Sequence, residues 1–155
     1  MPISPVVDAE FQIPAHGRHV ALVRRGIRFL AEGAGFTQSE CEDIEVAVGE
    51  AVTNAVYHGC RSDYSRRVLI HCSLSDDRLT VEVEDDGKDA CLPIPEPNRD
   101  MTDEHGRGWY LVHVLMNEVT SKCTDRGLLV QMVKIHKPER SSKNTGQALR
   151  FSSAS

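Results

Sequence analysis

Residues 44–59 read IEVAVGEAVTNAVYHG and place Ile44, Ala47, Val48, Ala51, Val52, Ala55 and Val56 at i, i+3, i+4, i+7, i+8, i+11 and i+12. That spacing draws one continuous apolar stripe, so the segment is predicted to be an α-helix that buries a single face. Thr37 or Ser39 can cap it, with Glu40 and Glu42 suited to its positive N-terminal end. The polar residues are just as regular. Glu50, Asn54 and His58 lie four apart and stack in one row along the flank of the stripe. On spacing alone, that row fits a solvated rim as well as a site.

Upstream, Val6 to Ile13 alternates loosely and stops at Pro14, the pattern of an edge strand. Val20, Val23, Ile27, Leu30 and Ala31 then recur at helical spacing, and Gly33 and Gly35 mark the stop. Downstream, strands are predicted over Arg67 to Leu74 and Leu79 to Asp85, joined by a turn at Ser75 to Arg78. Residues 86–105 carry Pro93, Pro95 and Pro97 without a period, a long loop of the kind that is usually functional. A helix is expected from near Gly108, with Leu111, Val112, Leu115 and Met116 on its apolar face. Strands Val119 to Thr124 and Leu128 to Ile135 close the pattern, turning at Asp125, Arg126 and Gly127. The order implies an α+β two-layer sandwich, a mixed or antiparallel sheet with helices on one face.

With 155 residues the chain has the length of one domain. The polar, Ser-rich stretch after Lys137 has little to bury, so residues 1–137 are read as the domain and 138–155 as a flexible tail. Eighteen Lys and Arg against 23 Asp and Glu leave a net charge of −5, which supplies no basic field for a nucleic acid. Neither a signal peptide nor a membrane-length apolar run is visible, so a cytoplasmic protein without a membrane partner is expected. Cys41, Cys60, Cys72, Cys91 and Cys123 are odd in number and widely spaced, and are read as reduced thiols.

Two further stretches bear on chemistry. In VEVEDDG, residues 81–87, period-two alternation puts Asp85 on the same inward face as Leu79, Val81 and Val83. A carboxylate there must find donors or lose solvation, and Gly87 beside it permits close approach of a ligand. In HGRGWYLV, residues 105–112, Gly106 and Gly108 precede a helix whose free N–H groups suit a phosphate, with Arg107 adding charge. Neither the P-loop pattern nor the strand-to-helix dinucleotide fingerprint is present.

GEAVTNAVYHG, VEVEDDG and HGRGWYLV, in this order, resemble the three ATP-binding boxes of the GHKL, or histidine-kinase-like, ATPases. The chain is most similar to the small anti-sigma-factor serine/threonine kinases of bacterial partner switching, over residues 10–137. The resemblance implies the Bergerat fold, with Glu50 as catalytic base, Asn54 holding Mg2+ and Asp85 accepting from the adenine amino group of ATP. It places His58, Gly87, Gly106, Arg107 and Gly108 in the nucleotide site, under a lid made by 88–105. It also implies a STAS-type anti-anti-sigma antagonist as phosphoacceptor, a sigma factor or equivalent target, and a homodimer. The first glycine box departs from the usual D-x-G-x-G, since Asp89 stands where the second glycine belongs. That departure is the basis of an alternative: a non-catalytic GHKL-fold module that switches partners without phosphotransfer.

Overall fold

The computed structural model describes residues 7–87, 91 and 104–138. Strands β1 (Val7–Pro14), β2 (Arg67–Ser75), β3 (Arg78–Glu84), β4 (Glu118–Cys123) and β5 (Leu128–Ile135) form one sheet in the order β1-β2-β3-β5-β4, antiparallel throughout. Helices α1 (Val20–Gly33), α2 (Gln38–Asn54) and α3 (Glu104–Leu115) accompany it, with α2 touching α1, α3, β3 and β5. This is the α+β sandwich expected from the element order. Among the described residues no helix is long and apolar enough to cross a membrane.

Local chemistry accounts for the frame. Leu79, Val81 and Val83 are buried on β3 while Thr80, Glu82 and Glu84 alternate outward, half-buried. The β2–β3 turn holds only Asp76 and Asp77, and Asp76 adopts the left-handed conformation that such a tight hairpin requires. Thr37, not Ser39, caps α2: its hydroxyl accepts from the Glu40 N–H, and the Glu40 carboxylate accepts from the Thr37 N–H. The apolar stripe of α2 then buries Ile44, Ala47, Val48, Ala51 and Val52 against β3 and β5.

Two sequence expectations need correction. Helix α3 starts at Glu104, so Gly106 and Gly108 lie inside its first two turns rather than ahead of it. The apolar face begins only at Trp109 and left that first turn without a periodic signal. The cysteines are not all reduced thiols: Cys91 and Cys123 are joined in a disulfide, whereas Cys41, Cys60 and Cys72 are free and buried. A separation of 32 residues conceals a pair that the fold brings to a Cα–Cα distance of 6.0 Å. Apart from Cys91 and the start of α3, the lid expected over 88–105 lies outside the described residues. So do Asp89 and the tail from residue 139 on.

Two polar clusters tie the layers. Lys134, nearly buried on β5, donates to the Asp43 carboxylate of α2 at 2.8 Å and to the Leu115 carbonyl at the end of α3 at 2.6 Å. On the outer sheet face His71 of β2 sits between Asp8 of β1 and Glu82 of β3, and Gln131 of β5 donates to Glu82. Asp8 raises the His71 pKa above the ordinary imidazole value, burial offsets part of that rise, and Glu82 adds to it.

Lys134→Ala strands Asp43 and the Leu115 carbonyl, so chemical denaturation should show a loss of about 3 kcal/mol, and Lys134→Met, which refills the volume, a smaller one. The fold favours protonated His71. Its contribution is therefore complete below its unfolded pKa of about 6.5 and is lost as pH rises through the higher folded value. Urea melts between pH 5 and 9 should show this decline in the wild-type chain and not in His71→Gln.

Candidate functional site

Asp85 follows β3 directly and is 4% exposed, on the inward face that alternation assigns to it. Its Oδ1 accepts from the Gly87 N–H at 2.9 Å and the Leu128 N–H at 3.2 Å. Three glycines close in on it. A methyl group at Gly59 would collide with Oδ2, one at Gly127 with Oδ1, and one at Gly87 with the Gly59 carbonyl. Three backbone segments converge on a single carboxylate because none of them carries a side chain there. Burial raises the Asp85 pKa above the usual carboxylate range, the Gly87 and Leu128 N–H groups offset part of that, and nearby Glu84 and Asp86 add to the rise.

Each wall has a local cause. Gly59 ends a π turn, Ala55–Gly59, in which the Cys60 N–H donates to the carbonyl of Ala55, five residues back. Such bulges are frequent at functional sites. The regular α-helix stops at Asn54, and with it the four-residue stacking. Glu50 and Asn54 share a flank, while the π turn carries His58 with its side chain exposed. Gly127 closes the β4–β5 turn, where the Thr124 hydroxyl accepts from the Arg126 and Gly127 N–H groups and donates to Glu84 at 2.9 Å. That bond fixes the turn to β3 and so presses Gly127 onto Asp85.

The other end of the site lies between α2 and α3. A methyl group on buried Gly108 would stand 2.5 Å from Glu50 Oε2 and 3.9 Å from Asn54 Nδ2, so the start of α3 rests directly on these two side chains. Gly106 and exposed Arg107 belong to the first four residues of α3, whose N–H groups have no acceptor within the helix. They suit an anion. Asn54 Nδ2 is buried without a hydrogen-bond partner among the described residues. A lone buried amide costs about 1–3 kcal/mol, a cost that a ligand arriving at this spot would relieve.

The structure thus gathers Glu50, Asn54 and Gly108 at an anion-suited end, and Asp85 and Gly87 at a sequestered one, with the π turn between. Two residues of the second end escape the sequence reading. Gly59 shows only as the last residue of the first box, without a role of its own, and Gly127 only as a turn glycine. Their shared signal is that both follow predicted elements whose ends must meet at Asp85, which becomes visible once strand order is known.

Comparison with known proteins follows the same lines. The model of the histidine kinase-like ATPase domain matches residues 13–134. The serine-protein kinase RsbW of Bacillus subtilis (strain 168) is 34% identical over 145 residues, spanning 88% of this chain and 90% of that protein. The protein of the same name in Staphylococcus aureus (strain Newman) is 30% identical over 153 residues, spanning 92% and 95%. Among solved structures, that of the RsbU and RsbW domains of a Mycobacterium tuberculosis protein superposes with a TM-score of 0.64 at 19% identity. It covers 85% of this chain and 32% of that longer one, a likeness of fold.

Because the folded state disfavours ionised Asp85, its contribution to stability is greatest below the unfolded pKa of about 3.9 and falls as pH rises through the folded value. Asp85→Asn keeps an acceptor for both N–H groups, so thermal melts without ligand should show the variant gaining on wild type from pH 4 to pH 7. Gly127→Ala drives a methyl group into the carboxylate and should lower the melting temperature at both pH values.

Proposed function

The chain belongs to the histidine kinase-like ATPase family, and from that premise we propose that it is an ATP-dependent serine-protein kinase acting as an anti-sigma partner-switching regulator. What supports this most is that similarity to serine-protein kinases runs along nearly the whole chain, in which the fold brings Glu50, Asn54 and Gly108 together. In this reading the domain is residues 1–137, followed by a polar tail over 138–155.

ATP enters as the phosphoryl donor. Asp85 accepts from the adenine amino group, its carboxylate held by the close-packed backbone at Gly59, Gly87 and Gly127. His58, Gly106, Arg107 and Gly108 face the phosphates from the π turn and the start of α3. Glu50 orients the acceptor serine hydroxyl and takes its proton as that oxygen bonds to the γ-phosphorus and the bond to ADP breaks. Asn54 suits Mg2+ through its hard amide oxygen, while its Nδ2, buried without a partner among the described residues, can donate to a phosphate oxygen. When bound, the ion neutralises charge on the phosphates. Beyond that, catalysis comes from positioning.

The partners follow from this chemistry. A small STAS-type anti-anti-sigma antagonist carries the acceptor serine, and its phosphate, with nearly two negative charges to desolvate, makes its return to the kinase unfavourable. The released kinase, as a cytoplasmic homodimer, is then available to hold a sigma factor or equivalent target.

Glu50→Ala should lower phosphotransfer to such an antagonist at least about 100-fold while ATP affinity stays within a few-fold of wild type. Asn54→Ala should lose the Mg2+-dependent part of ATP binding. Radiolabel transfer and nucleotide titration read both effects, and normal turnover in Glu50→Ala would overturn the assignment.

A further inference from the structure

Among the described residues the cysteines fall into two sets. Cys41, Cys60 and Cys72 are buried in the core, and burial holds their thiols above the ordinary pKa, which leaves little thiolate and no access. Cys91 is half-buried, Cys123 is exposed, and the two are bonded. Their placement is specific. Cys91 stands four residues after Gly87 and Cys123 four residues before Gly127, and both glycines pack at the Asp85 carboxylate. The bond therefore straps together two of the three chain segments that meet at this carboxylate. The loop it closes also contains α3, whose Gly108 rests on Glu50.

We propose that Cys91–Cys123 is a reversible exchange site for low-molecular-weight thiols, and that its closed form holds the nucleotide site ready for binding. The second half rests on the ATP reading given above; the exchange itself does not. A small thiolate attacks the exposed Cys123 sulfur, the bond to Cys91 breaks, and Cys91 leaves as a thiolate that takes up a proton. A second small thiol displaces Cys123 from the mixed disulfide. The products are two protein thiols and one small-molecule disulfide, so two electrons have passed to the protein. A low-molecular-weight disulfide runs the same steps backward. In a reducing compartment such a pair is transient and sensing rather than permanent. The buried thiols take no part.

The open form leaves Gly87 and Gly127 less firmly held against Asp85. A smaller fraction of molecules is then binding-competent, and the apparent dissociation constant rises in inverse proportion to that fraction. The strap holds the Asp85 end, so adenosine and ATP should respond alike.

The test uses the full chain equilibrated with oxidised glutathione or with dithiothreitol and titrated with ATP and with adenosine, alongside Cys91→Ser and Cys123→Ser. Oxidised wild type should bind both ligands about fivefold more tightly than reduced wild type, and both serine variants should match the reduced value in either buffer. A peptide map without reductant should show Cys91 linked to Cys123 after oxidation, and iodoacetamide should label these two first after reduction. Equal affinities in both buffers would overturn the coupling. Absence of the linked peptide would overturn the exchange site itself. If neither form bound nucleotide, the ATP reading would fall and the coupling with it, while the peptide map would still decide the exchange.

Discussion

A carboxylate held out of water at the meeting point of three glycines is the constraint on which the rest of the structure depends. Asp85 is 4% exposed, accepts from two backbone N–H groups and lies against backbone at Gly59 and Gly127. Burying a carboxylate is costly, and the raised Asp85 pKa records that cost. The elements around it are arranged to tolerate it. β3 delivers Asp85 inward, the β4–β5 turn brings Gly127 and the Leu128 N–H, and the π turn brings Gly59.

That arrangement sets what can be done at the other end. The π turn sets Gly59 against the Asp85 carboxylate just beyond Asn54, at the end of the helix that carries Glu50. Lys134 fixes the far end of α3 to Asp43, two turns before Glu50 on α2, while Gly108 settles the near end of α3 on Glu50 itself. α3 is thereby held at both ends against the helix bearing Glu50 and Asn54. The sequestered carboxylate and the anion-suited end, built from different elements, lie on either side of the π turn that follows α2.

Much of this was legible in the sequence because it depends on period. The stripe from Ile44 to Val56 announces α2, and alternation through Leu79, Val81 and Val83 aims Asp85 inward, as found. The Thr37 and Glu40 spacing marks the cap. What period cannot show is where a helix stops being regular. The row of Glu50, Asn54 and His58 presumes an α-helix to the end, and the π turn breaks it after Asn54. Helix α3 starts earlier than its apolar face, because Glu104 to Gly108 have no apolar repeat to mark them. Gly127 and the Cys91–Cys123 bond depend on strand order, which places β5 beside β3 and the far end of the chain beside the middle.

The central claim is that Asp85 reads the amino group of adenine. Thermal melts with Mg2+ and saturating ATP, compared with inosine triphosphate, test it most directly, because inosine offers an oxygen acceptor where adenine offers the amino donor. At about 100 times the dissociation constant, ATP should add about 2.7 kcal/mol to the stability of the wild-type chain, and inosine triphosphate almost nothing. Equal stabilisation by the two nucleotides, or none by ATP, would contradict it.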